Sequence, residues 1–327
     1  MTLTNTSTLV VVVTGCDTGF GAEIVEDLYK RGGFTIYATC LTEKSAEAYN
    51  ERGSSRIRGL RVDVTKQDDA DKLQAQLEAE CPQGVYCLLN NAGVYAGGFF
   101  DFASMESFEF IMAVNFTGLV RISKAVLPSL RTFAKSRHTP QGKNLPRARL
   151  LSITSVAGRA SPPAHGGYNA SKHAAESIMD TLRVELSPWE IDVCMLEPFY
   201  AKTPLVANAQ TAIERIWKTS DLQTQRMYGP NFIQGLKANT EHLYERAMPS
   251  KWVVDAAVNA IRKQGGAKKA RILVGFWWVG TLVRLQETLP SWIVDFFTKL
   301  IMRSVGAWPA DPFLIKADEK RDYERSN

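Results

Sequence analysis

The segment YNASK contains a tyrosine and a lysine whose spacing suits proton transfer. Tyr168 and Lys172 are four residues apart, so on a helix they share one face and approach each other. The pKa of a free tyrosine is about 10, and a nearby ammonium group favours the phenolate and lowers that pKa. Such a pair can serve as general acid and base. Because this spacing is common by chance, an exposed tyrosine beside a solvated lysine is the alternative.

Further polar residues are candidates for the same site. Ser155 follows a predicted strand, upstream of Tyr168, where its hydroxyl can hydrogen-bond the same substrate oxygen. Asn115 lies within the apolar helix-like segment AVNFTGLV, and its amide needs a hydrogen-bond partner if it is buried. His165 either borders the substrate or lies in a surface loop.

The segment TGCDTGFG, residues 14–21, follows five apolar residues, 9–13. A strand that is apolar on both faces belongs in a parallel sheet covered by helices. The glycines therefore occupy a strand-to-helix turn, where unpaired helical N–H groups form a site for phosphate. We expect Gly15 to allow the tight turn, Gly19 a close backbone approach, and Gly21 close helix–strand packing. A plain βα turn without a ligand is the alternative.

Strand-like and helix-like segments alternate along the chain. The strand-like runs are 9–13, 34–39, 60–64, 85–93, 149–154, 191–196 and 271–275. This alternation is typical of βαβ units in a parallel sheet, which binds ligands beyond the carboxyl ends of its strands. The sequence predicts an α/β fold with a doubly wound parallel sheet of about seven strands, in a single domain over residues 1–327. One long helix is expected from about 104 to 127, ending near Pro128.

Composition limits the classes of function. The 327 residues are 45% hydrophobic and 22% charged, as in a soluble globular protein. The basic stretch 131–149 has no aromatic platform, so we interpret it as a solvated loop and expect no nucleic-acid partner. Five scattered cysteines indicate a reducing compartment and no metal site. We expect no signal peptide, and the apolar run 272–283 is shorter than the ~20 residues of a membrane span.

With these motifs the chain resembles the short-chain dehydrogenase/reductase family over about residues 9–275. Within the family, TGCDTGFG, CLTEK, RVDVTK and EPFYAKTP are similar to the branch of retinol, hydroxysteroid and 3-hydroxybutyrate dehydrogenases. The resemblance implies a Rossmann fold and a catalytic set of Asn115, Ser155, Tyr168 and Lys172. It implies cofactor contacts from Gly15, Gly19, Phe20, Gly21, Asp63, Val64, Asn91, Ala92, Gly93, Tyr168, Lys172, Pro198 and Thr203. The chain departs from the family pattern at Phe199, where a glycine is usual, and in an insertion between residues 136 and 147 to which we assign no role.

The resemblance also implies a mechanism. Tyr168 would exchange a proton with the substrate oxygen while hydride moves between the substrate carbon and nicotinamide C4. Ser155 would hold that oxygen, and Lys172 would lower the pKa of Tyr168 and bind the ribose hydroxyls. Asn115 would support a proton-relay water. Asp63 would face the adenine ring, although a turn residue is the alternative.

The sequence bears on the choice between NAD and NADP. An acid at the end of the second strand accepts the ribose 2′-hydroxyl of NAD, whereas an arginine favours the 2′-phosphate of NADP. The stretch ATCLTEK has neither at the strand tip. The two charged residues that follow give conflicting indications, since Lys44 could bind a 2′-phosphate and Glu43 could repel one. The branch resemblance favours NAD, with NADP as the alternative. We expect Asp17 to cap the following helix rather than contact the cofactor.

Residues 204–250 correspond to the family's substrate lid and are rich in aromatic and apolar residues. Such a lid suits a lipophilic alcohol or ketone, which is retinoid-, steroid- or lipid-like, although ordinary packing of a domain edge is the alternative. A second hypothesis is a short-chain 3-hydroxy acid dehydrogenase, which needs a cation such as Lys202 for the substrate carboxylate. A third is a dinucleotide-binding scaffold without turnover.

The sequence pattern of the tail, residues 276–327, predicts two amphipathic helices separated near Pro290. They either close the substrate pocket against the core or lie in a membrane interface, with aromatic residues at headgroup level and Arg284, Lys299 and Arg303 toward anionic lipid. We predict a protein that is cytoplasmic or peripherally attached to an intracellular membrane. We also expect a homo-oligomer, either a dimer or a tetramer.

Overall fold

A parallel sheet of seven strands forms the centre of the molecule. The structure is a computed structural model, and it describes residues 8–95, 98–207, 209–263 and 269–307. The strands are β1 (Leu9–Val13), β2 (Phe34–Cys40), β3 (Ile57–Arg61), β4 (Cys87–Asn90), β5 (Ala148–Ile153), β6 (Ile191–Pro198) and β7 (Arg271–Val274). Their order across the sheet is β3-β2-β1-β4-β5-β6-β7, and every pairing is parallel. The predicted doubly wound sheet is confirmed.

Helices cover both faces of the sheet and extend beyond it. They are α1 (Gly19–Arg31), α2 (Glu43–Asn50), α3 (Gln67–Glu80), α4 (Met105–Met112), α5 (Leu119–Ser136), α6 (Gly166–Glu185), α7 (Pro204–Ala207), α8 (Ala209–Thr219), α9 (Leu222–Tyr228), α10 (Pro230–Glu245), α11 (Ser250–Arg262), α12 (Val279–Thr288) and α13 (Ser291–Ser304). A π-helical turn over residues 113–118 joins α4 to α5.

The direction in which strands are added reverses between β1 and β4. From β1 the chain moves outward to β2 and β3, and then returns so that β4 pairs with the other side of β1. A crevice forms at such a switch point, beyond the carboxyl ends of the two strands. Residues 14–21 and 91–95 follow those two ends, so the topology brings the glycine turn and the NNAG segment together.

The helical run 105–136 is longer than predicted. The predicted end near Pro128 is wrong, because α5 continues through that proline to Ser136. Ile122, Val126 and Leu130 are fully buried against the sheet, and this packing outweighs the backbone hydrogen bond that the proline cannot make. By length and composition alone this run could cross a membrane, and half of its apolar window is buried inside the fold.

The lid and the tail pack on each other beside the sheet. An aromatic cluster joins α8–α10 to the loop after β4, and it contains Phe99, Phe102, Trp217, Tyr228 and Phe232. The end of α13 approaches α10 so closely that a Cβ on Gly235 would collide with the carbonyl oxygen of Gly306. The predicted division into a core over 9–275 and a helical tail stays a prediction.

A buried arginine ties the sheet to the end of α11. The Arg149 guanidinium, on β5, donates to the carbonyl oxygens of Ala260, Ile261 and Lys263. Its side chain also lies over the ring of Tyr86, 5.4 Å from the centroid. A positive charge at a helix C-terminus is stabilised by the carbonyls that lack intrahelical partners, so Arg149 acts as a cap supplied from the sheet.

Candidate active site

The glycine turn between β1 and α1 is tightly packed. Gly15 and Gly19 both have positive φ, +69° and +62°. A Cβ on Gly15 would lie only 2.7 Å from the Cα of Ala92, and one on Gly21 would collide with the carbonyl oxygen of Gly15. The turn therefore needs glycine both for its backbone conformation and for the close approach of the β4 end.

Hydrogen bonds lock this turn to the NNAG segment. The Thr14 hydroxyl accepts from the backbone N–H groups of Asn91 and Ala92, each at 2.9 Å. The Asn91 amide in turn donates to the carbonyl oxygens of Thr14 and Gly15, at 2.8 and 3.0 Å. The fixed turn presents the N-terminus of α1, whose first N–H groups lack intrahelical acceptors. This arrangement fits the pyrophosphate of a dinucleotide.

Asp17 does not cap α1, so that prediction is wrong. The N-cap residue is Thr18, whose side chain makes no cap hydrogen bond. The Asp17 carboxylate instead accepts from the backbone N–H groups of Leu41 and Thr42, at 2.7 and 3.1 Å, and from the Thr42 hydroxyl. Burial opposes its ionisation, but these hydrogen bonds prevail and hold its pKa below the usual value. The glycine turn thus places an ionised carboxylate at the tip of β2.

Asp63 and Val64 follow β3 and lie at the same edge of the sheet. The Asp63 carboxylate accepts from the Thr65 N–H and hydroxyl, at 2.9 and 2.7 Å. Burial opposes ionisation here too, yet these bonds lower the pKa of Asp63. Arg121 donates to the Val64 carbonyl oxygen at 2.7 Å. Asp63 is therefore a turn residue in this structure, and its second carboxylate oxygen accepts no hydrogen bond from the described residues.

The tyrosine and the lysine lie on α6, as their spacing predicts. The Nζ of Lys172 is 5.6 Å from the centroid of the Tyr168 ring and donates to the carbonyl oxygen of Ile153 at 3.1 Å. Burial lowers the pKa of Lys172 to about 8, against the opposing charge of Glu176. Burial raises the pKa of Tyr168, and a hydrogen bond with Ser155 only partly offsets this. The expected lowering of the Tyr168 pKa by Lys172 is therefore not seen in this structure.

Asn115 is buried in the π-helical turn, and both ends of its side-chain amide are hydrogen-bonded. Its Oδ1 accepts from the N–H of Val94 at 2.8 Å, and its Nδ2 donates to the Val94 carbonyl oxygen and to the Ser171 hydroxyl. A Cβ on Gly93 would lie 3.4 Å from Asn115 Oδ1 and 3.8 Å from Lys172 Nζ. The structure thus brings Asn115, Lys172 and the NNAG segment to one place.

Pro198 and Thr203 flank the departure from the family pattern at Phe199. Pro198 ends β6, and Thr203 is buried before α7. The Phe199 ring packs edge-on against Trp278, with 5.4 Å between centroids. This side chain therefore joins the strand end to the start of the tail.

Sequence analysis missed a buried ion network behind the site. Glu197, on β6, is fully buried and contacts Arg159 at 3.1 Å and Arg271 at 2.9 Å. Arg271 also forms an ion pair with Glu176, which lies one turn after Lys172 on α6. Arg159 donates hydrogen bonds to both carboxylate oxygens of Glu287 on α12. Burial and the neighbouring Glu176 raise the pKa of Glu197. These ion pairs join residues that are far apart in the sequence, so no spacing between charged residues could have predicted them.

A small cavity of about 30 Å³, the size of one water molecule, lies between the core, the lid and the tail. Its wall includes Tyr95, whose ring contacts Tyr168 edge-on at 5.3 Å and His165 at 5.4 Å between centroids. His165 therefore borders this cavity, and its contact with a substrate stays a prediction. Asn239 also lines this cavity. Neither Tyr95 nor Asn239 belongs to a sequence motif that would have identified it as a cavity residue.

Comparisons with known proteins agree with this geometry. The family model described as short chain dehydrogenase matches residues 9–214. Human retinol dehydrogenase 16 is 32% identical over 291 residues, covering 87% of this chain and 86% of that protein. Mitochondrial D-beta-hydroxybutyrate dehydrogenase from Bos taurus is 28% identical, covering 87% and 82%. A short chain dehydrogenase/reductase from Burkholderia phymatum, solved in complex with NAD, matches with a TM-score of 0.64 at 26% identity, covering 85% and 92%. The chain belongs to the short-chain dehydrogenase family.

Proposed function

We propose that this protein interconverts an alcohol and a carbonyl on an uncharged lipophilic molecule, using NAD in preference to NADP. The observation that carries the proposal is the convergence of Ser155, Tyr168 and Lys172, one side chain away from a cavity whose wall is mostly apolar. Tyr95 contacts Tyr168 and also lines the cavity, so the cavity lies one side chain away from the tyrosine.

Tyr168 exchanges the proton of the substrate oxygen, and Ser155 holds that oxygen by a hydrogen bond. When bound, the nicotinamide supplies or accepts the hydride. Lys172 binds the ribose hydroxyls and holds the cofactor next to the tyrosine. Asn115 keeps the backbone at Val94 in place and supports a proton-relay water. Gly15, Gly19, Phe20 and Gly21 cradle the pyrophosphate at the N-terminus of α1.

Asp17 supports the preference for NAD. Its carboxylate stands at the tip of β2, where an acid accepts the ribose 2′-hydroxyl and repels a 2′-phosphate. The sequence pattern ATCLTEK lacks an acid at that tip, and Asp17 supplies one from the neighbouring turn.

The lining of the cavity supports an uncharged substrate over a hydroxy acid. Among the described residues, the wall has no lysine, arginine or carboxylate side chain. Lys202, the candidate for binding a substrate carboxylate, is exposed and does not line the cavity. A carboxylate in such a cavity would be desolvated without a partner charge, which is costly.

Replacing Tyr168 with phenylalanine tests the proposed reaction. The Tyr168→Phe variant should bind NAD normally, as followed by nicotinamide fluorescence, but lose turnover of alcohols and ketones by about 10²- to 10⁴-fold. Tyr29→Phe is a matched control, since it removes a hydroxyl on α1 far from the site. Near-normal turnover in Tyr168→Phe would overturn the assignment. Cofactor binding by the wild type without turnover across a broad panel would favour the rival, a dinucleotide-binding scaffold.

We further propose peripheral attachment to an anionic membrane through the tail. Val279 and Val283 of α12 pack against the core, and Met302 of α13 lines the cavity, so the inner face of the tail is packed on the rest of the protein. The outer face exposes a row of large apolar side chains: Trp277, Leu282, Leu285, Trp292, Phe296, Phe297, Leu300 and Ile301. Arg284 and Lys299 flank this row. Aromatic side chains with adjacent basic residues are typical of an interfacial helix.

Vesicle sedimentation tests the attachment. Wild type should co-sediment with vesicles containing phosphatidylserine and be released by detergent. A double variant, Trp277→Glu with Trp292→Glu, should stay in the supernatant and keep its turnover of a water-soluble substrate. Wild type that stays in the supernatant at low salt would show that the tail serves only as a pocket wall. Light scattering of the same samples tests the proposed homodimer or homotetramer, a form common in this family.

A further inference from the structure

The turn that carries Ser155 rests on the sheet and on α6. Ser155 lies just after β5, and its hydroxyl accepts from the backbone N–H of Ala157 at 3.1 Å, so the side chain caps a single helical turn over residues 156–158. This turn packs closely on α6, because a Cβ on Gly158 would lie only 2.6 Å from the side chain of Glu176. One side of the turn is therefore fixed by the end of a strand and by a helix.

The first helix of the tail covers the other side of this turn. Val156 and Ala160 form a buried cluster with Val279 and Val283 of α12. Both valines of α12 are almost completely buried, at 0% and 2% exposed. An apolar contact of this size excludes water but is non-directional, so the orientation of the turn depends on the polar groups beside it.

The polar group beside this cluster is Arg159, which directly follows the turn. Its Nε and one terminal nitrogen donate to the two carboxylate oxygens of Glu287 on α12, both at 2.7 Å. The other terminal nitrogen donates to Glu197, on β6, at 3.1 Å. A fork of this kind fixes direction as well as distance. Since Glu197 is fully buried in the sheet and Glu287 belongs to the tail, the end of the turn is held between the sheet and the tail.

We propose that Arg159 and Glu287 are positioning residues that keep the Ser155 hydroxyl within reach of Tyr168. The inference rests on the proposed function, in which Ser155 holds the reacting oxygen of the substrate. The Ser155 and Tyr168 side chains are hydrogen-bonded to each other, and Arg159 follows Ser155 by one turn of chain. A displacement of about 1 Å in a reacting group can reduce a rate about 100-fold. A tail helix that steadies this turn therefore contributes to turnover without touching the substrate.

Reversing the charge of Glu287 tests the inference. Glu287→Lys places an ammonium group beside the Arg159 guanidinium, so the fork is lost and the turn is held by Glu197 and by packing alone. The kcat for an alcohol should fall about tenfold, while the Kd for NAD should stay within about twofold of the wild-type value. Arg159→Lys is a milder second variant. Its single ammonium group cannot form the fork, so kcat should fall here too.

Glu26→Lys is the matched control. Glu26 on α1 has the same exposed side-chain fraction as Glu287, 38%, and it also pairs with an arginine of another segment, Arg52. The substitution changes the net charge by the same amount but lies away from the Ser155 turn. It should keep the wild-type kcat.

A double-mutant cycle separates positioning from a merely structural role. Glu287→Lys is repeated in a Ser155→Ala background, where turnover is already reduced. If the ion pair acts through the Ser155 hydroxyl, the second substitution has nothing left to displace, and kcat should lie within about twofold of that of Ser155→Ala alone. If the tail only stabilises the fold, the same loss should recur in that background.

The outcomes separate the inference from the proposed function. Wild-type kcat in both Glu287→Lys and Arg159→Lys, or a loss that recurs in full in the Ser155→Ala background, refutes the positioning role and leaves the proposed reaction standing. Unchanged turnover in Ser155→Ala contradicts the role proposed for the serine, and the inference with it. If wild type binds NAD but turns over no alcohol or ketone, the proposed reaction fails, and the inference fails with it.

Discussion

Replacing Lys172 with methionine should make the protein more stable while removing its activity. The pKa of this lysine falls from 10.5 to about 8 because the ammonium group is buried. At about 1.4 kcal/mol for each pKa unit, keeping the charged form in the folded protein costs about 3 kcal/mol. Methionine fills a similar volume without charge, but loses the hydrogen bond to Ile153, worth about 1 kcal/mol. Lys172→Met should therefore raise the free energy of unfolding by about 2 kcal/mol at pH 7.

The gain should depend on pH in a defined direction. Below pH 8 the lysine is charged in both the folded and the unfolded protein, so the full penalty applies to wild type. As pH rises from 8 toward 10.5, the folded protein releases the proton while the unfolded chain keeps it, and the penalty decreases. At pH 9 it should be about 2 kcal/mol, and the advantage of the variant should fall to about 1 kcal/mol.

Urea unfolding of wild type and variant at pH 7 and pH 9, without cofactor, measures this difference. Other titrating groups affect both proteins equally, so they cancel when the two proteins are compared at each pH. Lys124→Met, at an exposed position on α5, is the matched control and should show no such change between the two pH values. A Lys172→Met variant that is less stable than wild type at pH 7, or whose advantage is the same at both pH values, would refute the reasoning.

Three further predictions follow from the turn and the sheet. Asp17→Asn should reduce the preference in kcat/KM for NAD over NADP by about tenfold, through loss of the charge that repels a 2′-phosphate; unchanged use of NADP would contradict the assignment. In urea unfolding, Gly15→Ala should lower the free energy of unfolding by about 3 kcal/mol, because the added Cβ meets the end of β4. The control Gly53→Ala has a similar positive φ of +62° but open space around it, so it should cost only about 1 kcal/mol. Arg149→Met should cost about 3 kcal/mol by the same assay, because the carbonyls of Ala260 and Lys263 lose their side-chain donor, while that of Ile261 keeps the Tyr86 hydroxyl; a neutral effect would mean that water caps α11 equally well.

Much of the fold could be predicted from local patterns. The run 9–13 matches β1 residue for residue, because a strand that is apolar on both faces has few alternatives. The end of the long helix was predicted less well, since Pro128 favours an end there and only the packing of the following turns on the sheet overrides it. Tertiary contacts of this kind leave no mark in a short window of sequence.

The candidate site, like the fold, could be predicted where the signal is local and not where it depends on tertiary contacts. Tyr168, Lys172 and Ser155 could be found because their spacing on one helix and one strand end is local. Asp17 could not be placed correctly, because its hydrogen-bond partners come from another strand, at Leu41 and Thr42. Nor could Glu197 be recognised, because a carboxylate inside an apolar strand gives no sign of its distant arginines.

The order of the strands has a consequence for how the protein is made. Each strand after the first pairs with one that has already been synthesised: β2 with β1, β3 with β2, β4 with β1, and then β5, β6 and β7 in turn. A chain emerging from the ribosome can therefore extend its sheet without waiting for a later partner, and domains do fold progressively from the N-terminus during synthesis. The segments that supply most of the cavity wall, 209–245 and 291–304, emerge late. The turn between β1 and α1 should thus form on the nascent chain well before this cavity is closed.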